Sequence, residues 1–147
     1  MTRTTPAPRP HGLAAMFLLT GLAAVIGGGL LVVRPSGGWL GMSTELLHAS
    51  PFVTFLIPGL VLALVVGGLQ CAAGLALLQQ RADALRIGLT AALVLAGWMA
   101  IQAVLIGVVY WLQPVVFLVA ILEAGMLASA LPRKTRPQVG HRRASRA

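Results

Sequence analysis

Three long runs of this chain contain no lysine, arginine, aspartate or glutamate: residues 10–33, 46–80 and 87–122. About 20 apolar residues wound as a helix cross the ~30 Å hydrocarbon of a bilayer, so each run has room for at least one span. Only 10% of the 147 residues are charged, where soluble domains carry about 25%. The acidic residues are just Glu45, Asp83 and Glu123. What lies outside the runs is too short to enclose a soluble core. Backbone in lipid must satisfy its own hydrogen bonds, which points to helices. Barrel strands would need ~10-residue alternating segments, and these runs do not alternate. The fold class expected is all-α membrane, a four-transmembrane-helix bundle.

The expected spans are residues 12–33, 52–78, 87–111 and 114–131. The first carries Arg3 and Arg9 ahead of it, as a secretory signal does. Its apolar stretch exceeds the ~7–15 residues of a signal core, and no Ala-x-Ala site precedes Arg34, so it reads as a retained anchor. Basic residues then orient the bundle. Arg3, Arg9, Arg81, Arg86 and the six basic residues after 132 fall on one side, against Arg34 alone on the other. The positive-inside rule puts both termini and the 79–86 loop in the cytoplasm. Trp39, Tyr110 and Trp111 all fall at the opposite interface, where amphipathic rings favour the headgroup layer.

Residues 1–11 and 132–147 have almost nothing to bury and read as disordered cytoplasmic tails. In the second, Arg133, Lys134, Arg136, Arg142, Arg143 and Arg146 are placed to touch anionic lipid headgroups. The net charge of +8 has that simpler explanation, and no aromatic interleaving supports nucleic-acid binding. The first outer loop, residues 34–51, breaks after Pro35, Ser36, Gly37 and Gly38. Ser43 or Thr44 can cap a short turn through His48 there. Its apolar residues suit an interfacial position, and Glu45 and His48 can pair on one face.

Close approach through small residues matters more between helices in lipid than apolar burial. The stripe Gly59, Ala63, Gly67 and Cys71 in the second helix is unbroken, and the first helix has Gly27-Gly28-Gly29. Cys71 has no intrachain partner and reads as a packing residue. Pro58 predicts a kink. No residue set suggests a catalytic centre, a metal site or a cofactor site.

A tight hairpin through Tyr110, Trp111, Leu112 and Gln113 would put residues whose numbers add to 225 at one depth. Gln102 and Glu123 meet that condition. A carboxyl group at the membrane centre costs roughly 2.5–3.5 kcal/mol on insertion scales and should face inward with a partner. The pair Glu123–Gln102, with Trp98 one turn below to cover it or supply a donor, is therefore the candidate site. It reads equally as a proton-carrying or ligand-binding group and as a hydrogen bond that fixes register. Gln70 reads as a further interhelical hydrogen-bonding residue.

Gly41, Ser43, Ser50, Pro51, Phe52, Phe55, Leu56, Ile57, Pro58 and Gly59, followed by Gly97, Trp98, Gln102, Trp111 and Leu112, form a pattern. It resembles a group of small four-helix bacterial membrane proteins with no assigned activity. The resemblance covers most of helices 2 and 3 and implies a bacterial inner-membrane home. Small multidrug-resistance transporters also combine four helices with one membrane carboxylate. Theirs lies in the first helix and this one in the fourth, so that match is rejected. The expected function is a non-enzymatic scaffold, accessory or lipid-binding membrane protein, with a membrane-protein partner or a second copy in its grooves. The alternative is a proton-coupled carrier or binder built on Glu123.

Overall fold

The computed structural model describes residues 11–48, 50–107 and 112–130. The described residues are helical apart from their connections. Helix α1 is His11–Val33 and α2 is Leu56–Leu78; α3 is Ala84–Ile106 and α4 is Leu112–Ala130. Three of them have stretches long and apolar enough to cross a membrane: His11–Val33, Leu56–Leu78 and Ala84–Val104. The apolar part of α4, Gln113–Ser129, is shorter. The tails expected to be disordered lie outside the described residues except for His11, which opens α1 instead; all six basic residues of the second tail, Tyr110 and Trp111 lie outside them too.

Helix α2 packs along α1 on one flank and α3 on the other, while α4 lies mainly against α3. The α1–α2 seam is built on glycine. A Cβ at Gly28 would lie 2.5 Å from the Gly59 carbonyl, and one at Gly21 would lie 2.8 Å from the Cys71 nitrogen. Gly67 sits equally tightly on Val25. All four residues of the expected stripe therefore face α1. A strict four-residue repeat gains about 40° per step on an ideal helix, since 3.6 residues complete a turn. Between Val61 and Gly67 the chain is wound as a π-helix. That wider turn reduces the drift and keeps Gly59 and Cys71 on one face.

Pro58, where a kink is expected, stands close to the start of its helix. Helix α2 begins at Leu56, not at 52, so Pro58 occupies the first turn, where a missing N–H costs nothing. Residues 51–55 enter irregularly because Phe55 donates its N–H to the Pro35 carbonyl at 2.9 Å. The loop forms two 3-10 turns, Gly38–Leu40 and Thr44–Leu47, and the Ser43 hydroxyl accepts from the Glu45 N–H at 3.2 Å. Glu45 and His48 are joined through the backbone, not as a side-chain pair. Leu47 and Phe55 turn inward onto Leu31 and plug that end of the bundle.

At the other end α2 closes with Gln80 in the left-handed region (φ 53). Its N–H reaches the Leu77 carbonyl and that of Arg81 reaches Ala76, a Schellman closure with glutamine where glycine is usual. Arg81 then forks onto the Asp83 carboxylate through two 2.9 Å hydrogen bonds.

The α3–α4 connection departs furthest from expectation. Helix α3 ends at Ile106, five residues short of 111, because Gly107 adopts φ 73, ψ 176, a conformation essentially restricted to glycine. The Gln113 side chain donates to the Gly107 carbonyl at 3.1 Å and closes the corner. Pro114 is the third residue of α4, still within its first turn.

Candidate functional site

The early end of α3 resets the depth of everything on α4. Gly88 lies beneath Leu127 and Leu95 shares a cluster with Ala120, so residues at one level add to about 215. Glu123 is therefore level with Ala92, and Gln102 lies ten residues further along. At 1.5 Å per residue that is about 15 Å. The expected Glu123–Gln102 pair is not formed.

Glu123 instead reaches across the bundle to α1 and α2. Gln70 Nε2 donates to Glu123 Oε2 at 3.0 Å, and Thr20 Oγ1 donates to Oε1 at a longer 3.3 Å. Glu123 and Gln70 are both 0% exposed. Thr20 and Gln70 come to one level through the glycine seam: Gly21 abuts Gln70 and Cys71, and Gly74 abuts Leu18 and Ala14. One apolar cluster, around Phe17, Ala73 and Leu127, closes the site on one side. Another, around Ala24, Val66 and Leu95, closes it on the other.

The three residues link helices 1, 2 and 4. The α1–α4 seam is much the sparser of the two that α1 makes, and the Thr20–Glu123 bond crosses it. Both carboxyl oxygens are engaged, whereas Gln70 Oε1 is buried without a partner. No group of three His, Cys, Asp or Glu side chains converges among the described residues.

Gln102 and Trp98 occupy a separate place. Both line a pocket toward the loop end of the bundle with Leu31, Met42, Leu47, Phe55 and Pro58. The Trp98 Nε1–H is buried without an acceptor, so it does not serve Glu123.

Thr20 is the residue that sequence reasoning missed. It is the one hydroxyl between His11 and Val33, and Gln70 is the one amide between Leu56 and Leu78. That solitary polar residue in each of two apolar helices was the available signal. No protein family, curated protein or solved structure matches this chain.

Proposed function

We propose that the chain is a non-enzymatic integral membrane protein, a helical scaffold, accessory or lipid-binding protein of the bacterial plasma membrane. In this reading four helices cross the bilayer, both termini are cytoplasmic, and the basic residues from Arg133 to Arg146 rest on anionic headgroups. The observation that carries it is the closed polar clamp at Thr20, Gln70 and Glu123. A carboxyl group with both oxygens occupied and no exposed surface holds helices together; it is not presented to a substrate. Interhelical hydrogen bonds of this kind typically contribute about 0.6 kcal/mol each. They fix register as well as adding stability. The motif resemblance in α2 and α3 supports the same assignment.

The second reading is a proton-coupled carrier or binder built on Glu123. The unpartnered Gln70 Oε1 favours it, as a spare acceptor beside an acid. Liposomes holding the purified protein and a pH-sensitive dye separate the two. The scaffold reading expects no proton flux above protein-free liposomes, and unchanged stability for Glu123→Gln. A flux that Glu123→Gln abolishes would establish the carrier. Reporter fusions after residues 45 and 83 and at the C-terminus test the threading, with the first expected outside and the other two inside.

A further inference from the structure

We propose that Glu123 holds a proton inside the bundle and donates it to Gln70 Oε1, making the clamp a binding site for one hydrogen ion. The inference rests on the membrane reading above and deepens it by giving the clamp a ligand. Gln70 is 0% exposed and its Oε1 accepts no hydrogen bond. The other end of the same carboxamide already donates to Glu123 Oε2. A carboxylate can only accept, whereas a carboxylic acid adds one O–H donor. That donor satisfies the stranded acceptor, and acid and amide are then joined by two hydrogen bonds instead of one. Bond lengths point the same way. A hydroxyl donating to a charged carboxylate closes to about 2.5–2.7 Å. Thr20 Oγ1 stands 3.3 Å from Oε1, far outside that range. The 3.0 Å from Gln70 Nε2 is the ordinary length of a neutral N–H···O bond.

Charge supplies the independent argument. A buried carboxylate needs a counter-charge, and a group without one neutralises instead. The four helices offer none at this level. Helix α1 has His11 at its start, nine residues from Thr20, and α3 has the exposed Arg86, six residues from Ala92. By the helical rise these lie about 14 Å and 9 Å along the axis from the carboxyl group. Helix α2 has only the Cys71 thiol, whose sulfur lies against Gly21, and α4 has no ionisable residue besides Glu123. A metal cation is the other possible neutraliser. The two groups that reach the carboxyl, Gln70 Nε2–H and Thr20 Oγ1–H, both present hydrogen to it, which suits an acid and repels a cation. With no second acid or base beside it, the proton is held in place, not passed along a relay.

The test is infrared spectroscopy of the full chain carrying Glu45→Gln and Asp83→Asn, in maltoside micelles, which have no carbonyl of their own. Glu123 is then the only side-chain carboxyl group left. At neutral pH the spectrum should show the C=O band of one neutral acid, above the amide bands. The band should be the same in sodium and potassium buffers. It should vanish in Glu123→Gln, which keeps a neutral side chain of the same shape and should melt as its parent does. Gln70→Leu should keep the band and move it to higher frequency, since the acid loses its hydrogen bonds to the amide. Gln70→Asn, which draws the amide back by one methylene, should move it the same way and covers a Gln70→Leu protein that fails to fold. Carboxylate bands alone at neutral pH overturn the proposal. So does a neutral-acid band that sodium removes, which would mark a cation site, or one that neither Gln70 variant moves. Failure of the membrane reading would appear separately, as protein released from membranes by alkaline carbonate.

Discussion

The glycine triplet of α1 offers a perturbation whose sign changes from one residue to the next. A Cβ added at Gly28 would lie 2.5 Å from the Gly59 carbonyl oxygen, 2.6 Å from the Ala63 nitrogen and 2.8 Å from the Ala63 Cβ. Ordinary contact begins at about 3.4 Å, so α1 and α2 must part by nearly 1 Å at this point. Two of the three opposing atoms are backbone and cannot rotate away. Overpacking of this kind costs about 1–3 kcal/mol, offset in part by the helix preference of Ala over Gly, up to about 1 kcal/mol. Gly28→Ala should therefore lose about 1–2 kcal/mol. Gly27 and Gly29 have nothing within 4 Å of the added atom. Gly27→Ala and Gly29→Ala should be neutral or gain up to about 1 kcal/mol. Unfolding by SDS titration from mild-detergent micelles, followed by far-ultraviolet circular dichroism, reads all three. Gly28→Ala as stable as Gly27→Ala would refute the account of the seam.

Three further predictions follow from the loops and the reset register. Gln80 carries left-handed backbone strain, so Gln80→Gly should stabilise the protein by about 0.5–1 kcal/mol in the same titration. The Arg81 side chain, through its hydrogen bonds to Asp83, holds that carboxyl below its usual range. A carboxyl lowered on folding contributes stability above its unfolded pKa and loses it as pH falls through the folded one. Asp83→Asn should therefore flatten stability only on the acid side, and a changed slope near neutrality would contradict this. Gly88→Cys with Leu127→Cys, in a Cys71→Ser background, should form a disulfide under mild oxidation, since a Cβ at Gly88 meets the Leu127 side chain at 2.9 Å; no cross-link would return the α3–α4 register to question.

Helix type, order and the packing stripe of α2 were legible in the sequence because each follows from a repeated local property. Charge-free length marks the helices, and small residues every four positions mark the seam. The site was half legible. Glu123 had to face inward with an amide, and it does, but which amide depended on where α3 stops. Gly107 ends that helix, through a backbone conformation that composition does not announce. With α3 ending at Ile106 and α4 beginning at Leu112, the level facing Glu123 lies ten residues, nearly three turns, from the expected one, with Ala92 in place of Gln102. Thr20 and Gln70 met through the α1–α2 seam, whose register a long connecting loop leaves unspecified until the glycine contacts are known.

The partners of Glu123 are measured most directly by two double-mutant cycles in the detergent titration. Gln70→Leu combined with Glu123→Leu should show a coupling energy of about 0.6 kcal/mol or more, up to roughly 1.7. Gln102→Leu combined with Glu123→Leu should be additive within about 0.3 kcal/mol, because some 15 Å of helix separates the two levels. Coupling in the second cycle and additivity in the first would contradict the clamp and put the carboxyl group back beside Gln102.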